Sequence, residues 1–497
     1  MKTLLLIITV FFILTPGETR ASDEITLIFT NDIHGKIISQ DAFWLDSDTE
    51  VRVGGFPKFA TYMEQQRQQA REEERPLLYL DGGDFLSGTP ESDLLNGRPL
   101  ISGLNLTGLD YAVFGNHEID LGTENLKKRL DELDAEVLAT NLRYGEEERT
   151  FPHTIKYAVE KLDEVEIGLF GLVHKNTPEM ALPALVEDLT FLPELETAET
   201  AVEKLTAEDV DIIVAVTHLG LERDRRLATE VDGIDVIIGG HSHDLLWQPE
   251  EVNQTLITQA GGRLRNAGRL DLRIDNGEII EHEHDLTTLY GHSYPPDTGM
   301  QKVMDEYLQI AEDFLNEKVG RTTDAVVKDS SRDGPLGNLV TDVMRAAVGA
   351  DLALINPLGV LDELPAGEVT RRDLIRVVRF GNHLVELEFT GKQIKEIFED
   401  SFRFHDRLYQ FSGGRVAADT SADRGERVMS IKIGGQDFEP GDTYSVAATD
   451  FVAGQEQFAH YRERTDYSEQ RLWQLLEIYF QTVEKVEPRG GYRYQFQ

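Results

Sequence analysis

Five short apolar runs of this chain end in residues that can hold a metal ion or move a proton. Leu27–Thr30 leads into Asn31-Asp32-Ile33-His34, and Leu77–Leu80 into Asp81-Gly82-Gly83-Asp84. Tyr111–Phe114 is broken by Gly115 and followed by Asn116, His117, Glu118 and Asp120. Ile212–Val216 ends in Thr217-His218, and Val236–Ile238 ends in Gly239-Gly240-His241-Ser242-His243. A single histidine after a strand is ordinarily a turn residue with a local hydrogen bond. Five such endings, all at the carboxyl ends of strand-type runs, point to one shared edge, where open α/β sheets place their sites. The donors are carboxylates, an amide and imidazoles, and the chain has no cysteine. Zn, Mn, Fe, Co or Ni suits such a set better than an ion that seeks thiolates. Asp32, His34, Asp84, Asn116, His218, His241 and His243 make seven candidates, more than one tetrahedral ion takes. Two divalent ions sharing a carboxylate fit the number, and such a pair supports in-line displacement at phosphorus.

Strands and helices must alternate to bring these endings together. Phe56, Phe59, Ala60 and Met63 recur at helical spacing between Gly54 and Glu74, which predicts a helix packed on the first strand pair. Further strands are expected over Val137–Thr140, Glu166–Leu172 and Ile212–Val216, giving a layered α/β domain. Asn141 reads as structural, and His282, His284 and His292, in a polar connecting stretch, as surface residues. Tyr294-Pro295-Pro296-Asp297 punctuates the chain, after which Val303, Tyr307, Ile310, Ala311 and Phe314 form a helical stripe reaching about Lys318. That helix is either a connector or the last helix of the first domain. A second, smaller α/β unit starts at Val319, with an apolar helix face of Val340, Val343, Met344 and Ala347, a strand Leu352–Ile355 ending at Asn356, and an alternating strand Leu384–Phe389 before a helix Lys392–Phe402.

Met1-Lys2-Thr3 precedes the apolar stretch Leu4–Leu14, with Pro16, Gly17 and the small Ala21 after it. About 11 apolar residues are too few to span a bilayer, so residues 1–21 read as a signal peptide. The expected location is periplasmic or extracellular, with no membrane attachment after cleavage. A chain of 497 residues can bury its cores without disulfides. Its net charge of −41 fits solvated, solubilising faces or adaptation to saline surroundings. Long nucleic acids and anionic membranes are excluded as partners, whereas a small anionic substrate is compatible because divalent ions reverse the local field.

In order, D-x-H, GD, GNHE, a later H and GH-x-H resemble the calcineurin-like metallophosphoesterases over roughly residues 25–245. The two-unit length, with Gly337-Asn338-Leu339 and the Asn356/Gly359 element, narrows the resemblance to the secreted 5'-nucleotidase and UDP-sugar hydrolase family. The resemblance implies a signal peptide at 1–21, a metallophosphoesterase α/β sandwich at 22–293, a linker and connecting helix at 294–318, and a C-terminal substrate domain at 319–497. It implies two divalent ions of Zn, Mn or Co type. One would be held by Asp32, His34, Asp84 and His243, the other by Asp84, Asn116, His218 and His241. It also implies metal-activated hydroxide attack on phosphorus, with His117 stabilising charge and Asp120 orienting its imidazole. Arg332, Asn356, Gly359, Phe451 and Glu456 match the family's substrate-binding positions.

The second half departs from the family pattern. The expected phosphate-gripping arginine is Leu361, and a bidentate cation has no equivalent in leucine; Arg371, Arg372, Arg376 or Arg379 nearby could take its place. A further expected arginine is Ser330, and the first base-stacking aromatic falls at Leu408, with Tyr409 and Phe411 offset from it. The expected function is phosphate release from nucleotides or related phosphoesters. The alternatives are a phosphoesterase for non-nucleotide substrates, a thiosulfohydrolase of the sulfur-oxidation type, and a binding protein with a degenerate site.

Overall fold

The computed structural model describes residues 23–42, 51–181, 183–329, 332–378, 382–402, 408–454, 467–483, 485–488 and 491–496. The stretch read as a signal peptide, and Ser330, Arg379 and Glu456, lie outside these residues.

Two six-stranded sheets form the first unit. In one, the order from edge to edge is Glu278–Thr288, Asn266–Asp275, Asp23–Thr30, Leu77–Asp81, Tyr111–Val113 and Glu136–Leu138, the last four parallel. In the other it is Glu250–Val252, Thr255–Thr258, Val236–Ile238, Ile212–His218, Val165–Val173 and Tyr157–Leu162, with antiparallel edges around a parallel centre. Strand alternation decides what lies between them. Leu27, Phe29, Leu80 and Val113 point one way and pack with Leu169, Val214, Val216 and Ile238 of the facing sheet. Ile28, Tyr79 and Ala112 point the other way, onto Phe56, Phe59 and Met63 of the helix Phe56–Glu72. The second sheet's outer face is covered by the helices Glu194–Ala207 and Leu221–Glu230 through Ala201, Leu205 and Leu227. Strands buried on both faces read as unbroken apolar runs, and the four layers leave their carboxyl ends together at one edge.

The stretch read as a polar connection is instead the edge strand Glu278–Thr288, paired antiparallel with Asn266–Asp275. Its residues are mostly exposed, so its polarity reflects an edge position rather than a loop. His284 is half-buried rather than fully exposed: its ring stands 5.9 Å from that of Phe29, and its Nε2 is 2.9 Å from Thr258 Oγ1. Asn141 holds two layers together, its amide donating to Val173 O at 2.7 Å and accepting from Val173 N at 3.0 Å.

The helix after the Pro-Pro punctuation spans Thr298–Leu315, capped by the Asp297 carboxylate, which accepts from Met300 N at 2.8 Å. Its buried line is Met300, Met304, Ala311 and Leu315. The stripe predicted from Val303 is therefore rotated, and Ile310 is exposed. Met300 and Met304 join the first unit's core, while Phe314, at the other end, meets Trp473 and the Arg371 guanidinium of the second unit. The helix thus belongs to the first unit by packing and reaches the second by its end.

In the second unit a five-stranded mixed sheet runs Gln410–Ser412, Leu352–Ile355, Thr443–Thr449, His383–Thr390, Tyr467–Arg471. The helices Pro335–Val348 and Leu472–Thr482 pack with it through Val340, Met344, Leu472 and Leu476. A four-stranded sheet that includes Val428–Ile433 and the C-terminal Tyr494–Phe496 joins a separate core, with Phe398 and Phe411.

Candidate metal centre

All seven candidate donors stand at the shared carboxyl edge, and five of them adopt backbone conformations that side chains usually avoid. Asp32 (φ 52°), His34 (φ 49°), Asp84 (φ 56°), His241 (φ 81°) and His243 (φ 57°) are left-handed. Each costs of order 1 kcal/mol, and such residues cluster where function holds them. Two glycines make the close approach feasible. A Cβ on Gly115 would lie 2.3 Å from Asp84 Oδ1, and one on Gly240 2.2 Å from Gly82 O.

The donors fall into two groups. In the first, Asp32 Oδ1 is 3.1 Å from His243 Nε2 and 3.6 Å from His34 Nε2, and the two imidazole nitrogens are 3.0 Å apart. Asp32 Oδ2 is fixed by Asn31 Nδ2 at 2.7 Å and His241 N at 2.9 Å, whereas Oδ1 is buried and accepts no hydrogen bond. A buried carboxylate oxygen without a donor, facing two imidazoles, suits a cation. In the second group, His218 Nε2 is 3.0 Å from Asp84 Oδ2 and 3.2 Å from Asn116 Oδ1, and His241 Nδ1 is 2.8 Å from Asn116 Oδ1. Asp84 Oδ2 also lies 3.9 Å from His34 Nε2 of the first group. Asp84 thus faces both groups, with its other oxygen held by His117 N at 2.7 Å.

Local bonds and fields prepare these groups. His218 Nδ1 donates to Gly82 O at 2.7 Å, which turns Nε2 toward the carboxylate. Burial opposes a charge on His218, yet Asp84 outweighs it and lifts its pKa to about 10. A metal ion there would displace the proton. Burial holds His34 down at about 4 and, with His218 beside it, His241 at about 4. Both imidazoles are therefore neutral and able to ligate at neutral pH.

His117 Nδ1 is 2.6 Å from Asp120 Oδ2, and Ser87 Oγ donates to the same carboxylate oxygen at 3.2 Å and to His117 O at 3.1 Å. Its ring meets that of His34 edge-on at 5.2 Å. Burial disfavours its charge, but Asp84 and the Asp120 hydrogen bond raise its pKa to about 10. An imidazolium is thereby placed beside the donors, with Nδ1 occupied by Asp120.

Glu118 has a role the sequence did not reveal. Its carboxylate is buried and accepts four backbone N–H groups: Asp84 (2.9 Å) and Gly115 (2.7 Å) on Oε2, Phe85 (2.9 Å) and Leu86 (3.1 Å) on Oε1. Burial and the Asp84 charge push its pKa up to about 7, against the pull of those donors. Because both oxygens accept, an amide cannot substitute: its NH₂ would oppose two N–H groups. Glu118→Gln is expected to lower unfolding stability by about 2–4 kcal/mol, two unsatisfied donors at ~1–3 kcal/mol each with partial relaxation. Denaturant melts check this, and an unchanged midpoint contradicts the bracing role.

The candidate substrate residues are positioned differently. The Arg332 guanidinium lies 3.3 Å from the Tyr492 ring centre and 5.5 Å from that of Phe496. Asp333 accepts from Arg493 N and Tyr494 N rather than pairing with Arg332. Asn356 starts the 3₁₀ turn Pro357–Gly359, and its buried Oδ1 has no hydrogen-bond partner. A Cβ on Gly359 would lie 2.6 Å from Ile355 Cγ1 and 2.8 Å from that oxygen, so a larger residue there must displace one of these side chains. Phe451 is half-buried against the second unit's core. Leu408 and Tyr409 are buried, and Phe411 packs between Phe398 and Tyr494 at 4.9 Å from each ring. Among the described residues, no hydrogen bond or ion pair links Arg332, Asn356, Gly359 or Phe451 to the metal-binding groups.

Three of the four arginines named as replacements for the one missing at Leu361 are engaged elsewhere. Arg371 is bidentate to Glu477 at 2.9 and 2.8 Å and bonds Glu317 and Phe314 O, each at 2.8 Å. Arg372 pairs with Glu91 of the first unit and with Glu312 at 3.0 Å, and Arg376 with Asp362 at 2.6 Å.

A family profile described as calcineurin-like phosphoesterase matches residues 25–245, and one described as 5'-nucleotidase, C-terminal domain, matches 318–463. Endonuclease YhcR of Bacillus subtilis (strain 168) is 28% identical over 457 residues, 86% of this chain but 37% of that longer protein. Protein UshA of Yersinia enterocolitica is 27% identical over 485 residues, covering 86% of this chain and 85% of that protein. The crystal structure of a 5'-nucleotidase precursor from Thermus thermophilus superposes with a TM-score of 0.77 at 25% identity, over 95% of this chain and 99% of that one. Among the described residues no helix is long and apolar enough to cross a membrane. Divalent-metal chemistry is common to calcineurin-like phosphoesterases, and three clusters among the described residues, Asp32–His34–His243, His34–Asp84–His117 and Asp84–His218–His241, suit such ions. The chain belongs to the 5'-nucleotidase family of calcineurin-like metallophosphoesterases and is a metal-dependent phosphoric ester hydrolase.

Proposed function

We propose that this is an exported dinuclear-metal phosphohydrolase that releases phosphate from nucleotides or related small phosphoesters. The observation that carries the reading is the position of Asp84 Oδ2, 3.0 Å from His218 Nε2 and 3.9 Å from His34 Nε2, between two otherwise separate donor groups. Asp32, His34, Asp84 and His243 would hold one ion, and Asp84, Asn116, His218 and His241 the other. Two such ions supply Lewis-acid polarisation of a phosphoryl group and a more acidic water. His117 stabilises charge on the phosphoryl or leaving oxygen and delivers a proton from Nε2 as the P–O ester bond breaks; Asp120 keeps the ring oriented through Nδ1. Water supplies the oxygen gained by phosphorus, so an alcohol and phosphate leave. The chelated protein is expected to release no phosphate from a nucleotide and sugar-phosphate panel, and Mn, Co or Zn to restore release. Turnover that survives chelation ends the reading.

Substrate preference rests on the second unit. Leu361 is half-buried, its N–H donating to Val377 O at 2.9 Å, and arginines 371, 372 and 376 are occupied by carboxylates. With one arginine and one stacking ring absent, discrimination among AMP, UDP-glucose and a simple aryl phosphate is expected to stay below about a hundredfold in kcat/KM, ~2.7 kcal/mol, with KM carrying the difference. Leu361→Arg is expected to lower the KM for AMP. Steady-state kinetics on the three esters decide this, and a stronger AMP preference in the wild type refutes it.

A further inference from the structure

One more strand ends at the site edge. Val165–Val173 lies beside Ile212–His218, and the residue that follows it, His174, is 8% exposed. Its N–H donates to His218 O at 3.2 Å, and its ring centre is 5.4 Å from that of His241. Nδ1 accepts from Asn176 N at 3.0 Å, so the neutral ring carries its proton on Nε2. That Nε2–H has no partner among the described residues.

Arg223 reaches the same place from the first turn of Leu221–Glu230. Gly220, just before that helix, donates to Gly240 O at 3.0 Å, next to His241. Arg223 Nη1 donates to Glu194 Oε1 at 3.2 Å, and that oxygen also accepts Lys175 N at 3.0 Å. The guanidinium is therefore tethered beside the loop 174–176. Its Nε and Nη2 have no partner among the described residues, and its side chain is 35% exposed. In a chain of net charge −41, unspent guanidinium donors beside an imidazole donor form a specific arrangement. Arg–phosphate contacts use such a fork of N–H groups.

Building on the phosphohydrolase reading, we propose that His174 Nε2–H and the free edge of Arg223 form an oxyanion subsite next to His241, separate from the Asp84-centred position of the reacting phosphoryl group. Its occupant is a phosphate group, either the second phosphate of a diphosphate substrate or the orthophosphate released by the reaction. Neither residue belongs to the seven metal donors or the His117–Asp120 pair.

The test compares wild type, His174→Phe, Arg223→Met and Arg223→Lys in the metal-loaded protein. It measures KM for ADP and for p-nitrophenyl phosphate, Ki for inorganic phosphate, and metal content. Phe keeps the ring but removes the donor, and Lys keeps the charge but removes the fork. If the second phosphate binds here, His174→Phe and Arg223→Met raise KM for ADP about tenfold more than KM for the aryl ester, with two ions still bound and Arg223→Lys intermediate. If released phosphate binds here, the tenfold change falls on its Ki instead. Parallel changes in all three constants, loss of metal, or no change in any of them overturns the subsite. Wild-type protein that hydrolyses neither ester overturns the phosphohydrolase reading and the subsite with it. Hydrolysis of both, with variants matching wild type, overturns the subsite alone.

Discussion

Asp84→Ala is expected to lower turnover by at least about 10³-fold and to leave the protein unable to hold two ions. Other donors serve one group each, but Asp84 Oδ2 faces both, at 3.0 Å from His218 Nε2 and 3.9 Å from His34 Nε2. Losing it removes a shared ligand and the negative charge that favours cations in a buried place. His218, whose charge Asp84 supports, also loses its counter-charge. A metal pair contributes several kcal/mol of transition-state stabilisation, which converts to the stated factor. Elemental analysis of metal per chain, with phosphate release on the same samples, checks both halves. Asn116→Ala provides the contrast, because among the described residues Asn116 Oδ1 meets only His218 and His241 and its loss should weaken one ion alone. Asp84→Ala protein that retained two ions and turned over within tenfold of wild type would refute the shared-carboxylate assignment.

The donor set was legible in the sequence because each member sits directly after an apolar run, and a parallel strand delivers whatever follows it to the same edge. What stayed hidden depends on residues distant in sequence. Glu118 read as one of several carboxylates near Asn116, and its bracing role emerges only when residues 84–86 present three N–H groups to it from across the fold. His174 follows a run as apolar as the others, Val165–Val173. Its partner Arg223 comes from another element, so their pairing is not visible along the chain. Helical spacing misplaced the stripe of Thr298–Leu315 because Val303, Tyr307 and Ile310 share a face nearly as apolar as the buried one. Core packing onto Met300 and Met304 settled the rotation.

The second unit was less legible for a different physical reason. Its recognisable positions were read by likeness, and likeness fixes a residue's place in the chain but not where its side chain lies. Arg332 shows this: the residue is present, but its guanidinium stacks on Tyr492 from the C-terminal segment. Phe411 was weighed as a stacking ring for a base, yet it is buried between two other rings. Side chains in such a pocket answer to neighbours contributed by several elements, whereas strand-end donors answer mainly to their own strand.

His117→Asn is expected to lower kcat by about 10²–10⁴-fold, the range for a positioned proton-transfer or charge-stabilising group, while metal content stays near two ions per chain. The ring lies outside both donor groups as assigned, and its Nδ1 is held by Asp120 at 2.6 Å. The Asp120 contact makes a second, signed prediction. Burial works against the imidazolium, while Asp84 and the Asp120 hydrogen bond raise its pKa to about 10. A group that acts as a proton donor is competent below its pKa and is lost as pH rises through it, so His117 sets an alkaline limb in the kcat/KM profile. Bound dications neutralise Asp84 and bring that limb below the value of the metal-free site. Asp120→Asn removes a raising contribution in either state and must move the limb further toward neutral pH, with a smaller loss of kcat than His117→Asn. Profiles of wild type and Asp120→Asn across the alkaline range, with metal content measured in parallel, decide the matter. An alkaline limb that stays in place in Asp120→Asn, or moves to higher pH, would show that His117 is not the titrating donor. Loss of metal from His117→Asn would show instead that the imidazole belongs to the coordination groups.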